Sequence, residues 1–227
     1  MLPSTRQFGP PILNTAPAIR WLLGVNILIY AVMAVLPMHF VFDVVDRFAF
    51  ISVRYVISGL WLSEPATYFS GPLTYMFLHA NLAHLLVNMA MLLAFGTAIA
   101  RRMPTGPFLA FYALCGLAGA LFWALMHPYS IDPLIGASGA ISGMVGAVAG
   151  ISIGEPPGHG MPFRNRRAAL TFVAVWLALN FVVGFFGAAA MGVDGAIAWE
   201  AHLGGFVAGF ALIRLFPRNG NARAARW

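Results

Sequence analysis

Apolar positions along this chain do not alternate with polar ones; they run on for about twenty residues at a time and do so six times. The runs cover 21–42, 73–100, 107–126, 137–153, 168–191 and 196–216. A half-buried strand would alternate, so each run predicts a helix, and a helix of that length spans the hydrocarbon core of a bilayer. The fourth is the shortest and is rich in Gly. The pattern predicts an all-α integral membrane protein, a bundle of six transmembrane helices. The stretch from 43 to 71 mixes Phe48, Phe50, Tyr55, Val56, Ile57, Leu60, Trp61 and Leu62 with charges, which predicts a first loop lying in the membrane interface.

Composition agrees. Of 227 residues, 60% are hydrophobic and 9% charged, with mean hydropathy +0.82. A soluble domain carries about 25% charged residues, so this chain needs lipid as its solvent. The net charge of +6 does not point to nucleic acid, because the Arg residues are scattered over loops and tails. Arg6, Arg20, Arg101, Arg102, Arg164, Arg166, Arg167, Arg214, Arg218, Arg223 and Arg226 fall on one side of the six spans, and only Arg47 and Arg54 on the other. Cytoplasmic loops are the Arg-rich ones, so both termini are expected in the cytoplasm. The absence of Lys suits a GC-rich bacterial genome, hence a bacterial inner membrane. Residues 1–19 read as a cytoplasmic tail, 20–216 as the helical core and 217–227 as a second tail. No cleavable signal peptide is expected, since the Pro-rich start leads straight into the first span. Cys115 is the lone cysteine, which leaves no disulfide framework and no Cys-based metal site.

Ionisable and polar groups inside spans are functional candidates. Span two carries His79, His84 and Asn88, span four Ser138 and Ser142, span six Glu200 and His202. His84 lies about eleven residues into its span, Ser138 at the mouth of the fourth and His202 about six into the last, and all three spans run inward. At about 1.5 Å per residue the groups fall at similar depth, as around a cavity open to the outside. Gly136-Ala137-Ser138-Gly139 sets a Ser between small residues where a loop becomes a helix, so a substrate backbone can approach and the helix N-terminus favours negative charge. Taken alone, Ser138 is also a residue that lets helices pack closely, as Ser142 is. His84 and Asn88, four apart on one face, suit an oxyanion or an interhelical polar contact. His202 suits a general base or a buried neutral imidazole bonded to a carbonyl. Gly139, Gly143 and Gly146 facing Gly205 and Gly209 would bring spans four and six nearly backbone to backbone, and Ser138 to His202. No carboxylate is expected as a third member: Glu200 points to a different face, and Asp132 and Asp194 lie in loops.

The run from Thr74-Tyr75-Met76-Phe77-Leu78-His79 through His84 and Asn88, then Gly136-Ala137-Ser138-Gly139, then Ala201-His202 with Gly205 and Gly209, resembles the rhomboid proteases over residues 20–216. The resemblance implies a six-helix rhomboid core and an intramembrane serine endopeptidase with Ser138 as nucleophile and His202 as base. It places Asn88, His84 and the Ser138 amide around the oxyanion. It implies membrane-protein substrates, single-span ones among them, and no metal or other cofactor. Two positions depart from the family pattern. Ser70-Gly71 stands where many members have Trp-Arg, and Ser142 where many have an aromatic against the catalytic His. The rival readings are a catalytically inactive rhomboid-like protein that binds membrane clients, and a metal or haem protein using His79, His84 and His202. The second is disfavoured by the five-residue spacing of His79 and His84 without an intervening Glu.

Overall fold

The structure, a computed structural model, describes residues 15–57, 59–154, 163, 165–190 and 198–217, with side chains omitted over 185–190. Arg6, Arg164, Asp194, Arg218, Arg223 and Arg226 lie outside the described residues. Among those described, all regular elements are helical, and a single antiparallel bridge joins Phe50 to Leu134. The order is α1 (Pro17–Val35), α2 (Met38–Phe48), a 3-10 turn (Ser52–Tyr55), α3 (Leu60–Ser63), α4 (Pro65–Thr74) and a 3-10 turn (Tyr75–Phe77). Then α5 (Leu82–Met91) continues through a π segment (Leu92–Gly96) into α6 (Thr97–Ala100), followed by α7 (Thr105–Met126), α8 (Ser138–Gly154), α9 (Arg166–Ala190) and α10 (Trp199–Leu212). Among the described residues, four helices are long and apolar enough to cross a membrane: Pro17–Val35, Leu82–Ala100, Thr105–Met126 and Arg166–Gly184. With 17 residues, α8 reaches about 25 Å at about 1.5 Å per residue.

Two predicted spans begin or end elsewhere. The first stops at Val35, not at 42, because Pro37 forces Leu36 into an extended conformation (φ −74°, ψ 145°). Beyond it α2 buries no residue and exposes Met38, Phe40, Phe42 and Phe48 beside Asp43, Asp46 and Arg47, the face expected of a helix lying in an interface. The second starts at Leu82 and not at 73. The Asn81 side chain caps α5 by accepting from the His84 amide at 2.8 Å, and the apolar residues before it belong to α4 and the 3-10 turn. His79 therefore precedes the span.

Every residue of α8 from Gly139 to Ser152 is buried, so this helix is the axis around which the others pack. Small residues make that possible. A methyl group on Gly205 would overlap the carbonyl oxygen of Gly139, one on Gly209 that of Gly143, and one on Gly146 that of Phe206. The matched rise of both residue numbers means that α8 and α10 are parallel and nearly in backbone contact. On the opposite flank Gly119 meets Ala201 and Gly139, and Cys115 meets Gly143, so α7 is antiparallel to both. Met91 and Phe95 pack against the cluster that Val145 and Ala149 of α8 form with Phe206 while His84 lies at Gly136, which makes α5 parallel to α8. The N-terminal ends of α5, α8 and α10 thus share one end of the bundle.

The first loop is tied to that end. Phe50 and Leu134 exchange backbone hydrogen bonds at 3.2 and 2.8 Å, and the Val53 amide donates to Ser130 O at 3.1 Å. Arg54 donates to the Asp46 carbonyl and carboxylate, Thr74 Oγ1 to Phe48 O at 2.7 Å and Tyr55 to Tyr68 O at 2.8 Å. Burial, reinforced by Tyr68 and partly offset by Arg54, pushes the Tyr55 phenol up to about 12, so it remains a donor. At the Ser70-Gly71 departure, Gly71 lets the Ala49 carbonyl pass within 3.0 Å of where a side chain would begin.

Candidate active site

His84, Ser138 and His202 each sit in the first turn of their helix, nearer the helix start than the apolar runs suggested. His84 is the third residue of α5, Ser138 the first of α8 and His202 the fourth of α10. A first turn offers amide N–H groups with no partner inside the helix; the His84 amide is taken by the Asn81 side chain and the His202 amide by Ala198 O.

Ser138 Oγ lies 2.8 Å from His202 Nε2. Gly136, at φ 115°, turns the chain into α8; its amide donates to Tyr75 O at 2.9 Å, and the Tyr75 hydroxyl donates to Gly116 O at 2.8 Å. The left-handed backbone favours glycine, and space demands it too: a Cβ at 136 would stand 2.7 Å from His84 Nε2 and 3.7 Å from Ser138 Oγ. The His84 ring is therefore beside the turn that carries Ser138. Asn88 follows one helical turn below His84, buried, with its Nδ2 donating to His84 O at 2.9 Å and its Oδ1 unpartnered. His79 packs its ring edge-on against His84, with centroids 5.0 Å apart.

Glu200 turns away from His202, as its position two residues off requires. Its Oε1 accepts from His127 Nε2 at 2.9 Å, clamping the end of α7 to the start of α10. Ser130 donates to Asp132 within the connecting loop at 3.2 Å, and Ser142 is buried in α8. Among the described residues no three of His, Cys, Asp or Glu gather as metal ligands.

Sequence reasoning passed over one neighbour of His202. Asn180 of α9 places Oδ1 2.7 Å from His202 Nδ1. It is the single amide in an otherwise apolar stretch of α9, Leu177 to Val183, and the criterion that picked out His84 and Asn88 applies to it equally.

A family model described as the Rhomboid domain matches residues 66–219, which takes in α4 to α10 and every residue of this site. The chain belongs to the rhomboid family. It is 31% identical over 139 residues to rhomboid protease GluP of Bacillus subtilis, covering 61% of this chain and 24% of that protein. With rhomboid protease AarA of Providencia stuartii it shares 29% over 176 residues, 70% of this chain and 57% of AarA. With RHOMBOID-like protein 5 of Arabidopsis thaliana it shares 31% over 137 residues, 60% of this chain and 40% of the relative. The chain thus spans between about a quarter and somewhat over half of the length of these relatives. As a rhomboid domain with apolar helices of spanning length, it is an integral membrane protein.

Proposed function

We infer that this rhomboid domain is an intramembrane serine endopeptidase that cleaves transmembrane segments of membrane proteins with Ser138 and His202. The observation that carries the reading is the 2.8 Å contact between Ser138 Oγ and His202 Nε2, at the N-terminal ends of two helices held together through glycine. Membership of a family that includes proteases supports it.

In this reading His202 Nε2 takes the Ser138 hydroxyl proton as Oγ adds to the scissile carbonyl. The oxyanion forms beside the Ser138 amide at the start of α8, where the helix dipole favours negative charge. His84 and Asn88 add side-chain donors from the neighbouring helix. His202 then passes its proton to the leaving amine, and water hydrolyses the acyl-enzyme by the same steps in reverse order. The six spans of the bundle would be α1, α5 with α6, α7, α8, α9 and α10, with both termini cytoplasmic. Substrates with a single span fit a site reached from the bilayer.

Purified protein with a panel of single-span substrates tests the reading. Ser138→Ala and His202→Ala are each expected to abolish cleavage, and the double variant to be no worse than either, because the two groups act as a unit. Near-normal turnover by Ser138→Ala would overturn it. Binding of the panel by wild-type protein without any cleavage would favour the client-binding alternative.

A further inference from the structure

We propose that Asn180 is a positioning residue that fixes the tautomer of His202, so that a Ser-His-Asn relay replaces an isolated pair; this rests on the protease reading above. The argument starts from which amide atom faces the ring. Asn180 Nδ2 lies 3.2 Å from the Trp199 carbonyl, and a carbonyl only accepts, so the nitrogen must point there and Oδ1 must face His202 Nδ1 at 2.7 Å. An acceptor at that place requires the proton on Nδ1. A neutral imidazole protonated on Nδ1 keeps its lone pair on Nε2, and Nε2 is the atom 2.8 Å from Ser138 Oγ. The hydroxyl therefore donates to Nε2, which is the arrangement a general base needs. The other tautomer would donate to Oγ and could not take its proton.

No other described group competes for this role. Glu200 is engaged by His127, and a carboxylate against Nδ1 would have to be desolvated among apolar helices, at high energetic cost. A neutral amide gives the same directional information without the buried charge. The seat of α9 is built around it. Trp176, Asn180 and Gly184 recur at four-residue spacing on one helix face. Trp176 stacks on Phe206 with centroids 4.7 Å apart, and Gly184 has Trp199 so close that a Cβ would stand 2.7 Å from the Trp199 Cβ. Asn180 lies at the centre of the contact between α9 and α10, while the opposite face of α9, with Leu179, Val182 and Val175, is exposed.

The test uses full-length protein in detergent with ¹⁵N-labelled histidine. Long-range ¹H–¹⁵N spectra are expected to show the His202 signal, assigned by its loss in His202→Gln, as the Nδ1–H tautomer. Asn180→Leu, which keeps the face filled, should turn it into a tautomer mixture. In parallel, phosphonylation of Ser138 by a small soluble fluorophosphonate, in which Oγ bonds to phosphorus and fluoride leaves, should slow about 10–10³-fold in Asn180→Ala and Asn180→Leu. Cleavage should lose kcat to the same degree with KM nearly unchanged. Wild-type phosphonylation rates in both Asn180→Ala and Asn180→Leu, or an unchanged Nδ1–H signal in Asn180→Leu, would overturn the proposal. The NMR arm does not depend on turnover. A failure of the protease reading would appear as cleavage by Ser138→Ala, whatever the tautomer.

Discussion

At the scale of single residues, the site depends on how few atoms each position carries. Gly136 has both a positive φ of 115° and His84 Nε2 2.7 Å from its missing Cβ, so the turn into α8 and the seating of His84 are one constraint. Asn88 is instructive because its amide is only half spent. Nδ2 has two hydrogens, one bonded to His84 O at 2.9 Å, and in the protease reading we propose that the other meets charge developing beside Ser138. Losing one oxyanion donor costs about 10²–10³ in turnover. Asn88→Ala is therefore expected to lower kcat within that range with KM less affected, in steady-state cleavage of a single-span substrate by pure protein. A change confined to KM would instead make Asn88 a substrate contact.

At the scale of elements, glycine decides how near α8 and α10 come. Gly209 lies two turns below His202, and a methyl group there would overlap the Gly143 carbonyl, a backbone atom with no rotamer to give way. Gly209→Ala is expected to destabilise the bundle by about 1–3 kcal/mol and to lower cleavage by parting Ser138 from His202. Gly24→Ala on α1, with nothing within 4 Å of the new methyl, should leave both unchanged; thermal unfolding and turnover of the two variants measure the contrast. The glycine spacing and the apolar runs made this packing legible in the sequence, since both are one-dimensional patterns. The start of α5 was not legible from hydropathy, because residues 73–80 are as apolar as a span while forming the end of α4, a 3-10 turn and an irregular link to Asn81. Asn81 ahead of Leu82 was the readable signal, a capping residue where the helix begins. Pro37 likewise marked the end of α1. Asn180 was visible as an isolated amide, but its partner followed only from the pairing of α9 with α10, which no local pattern encodes.

At the scale of the whole molecule, the helix directions put charge and chemistry at opposite ends. Ile19 of α1 is level with Gly96, so Arg20, Arg101, Arg102, Arg166, Arg167 and Arg214 belong to the end away from Ser138, while Arg47 and Arg54 belong to the Ser138 end. By the positive-inside rule we propose that the Ser138 end is the outer one. In the protease reading hydrolysis needs water at Ser138, and we propose that water enters from that end. Ser138 is half-buried under the loop bonded to Phe50 and Val53, whereas below it α8 is buried from Gly139 to Ser152 and sealed by glycine contacts with α10. A thiol at Ser138 reports on both orientation and opening. Cys115 is fully buried against Gly143 and is removed as Cys115→Ala to keep the background silent. Ser138→Cys in that background is expected to react with a membrane-impermeant maleimide added to intact cells, and to label weakly in inverted vesicles. On the same proposal the cut is expected in the outer third of a substrate's span, which mass spectrometry of the products would locate. Labelling chiefly from the cytoplasmic face would reverse the orientation, and with it the direction from which water and substrate reach Ser138.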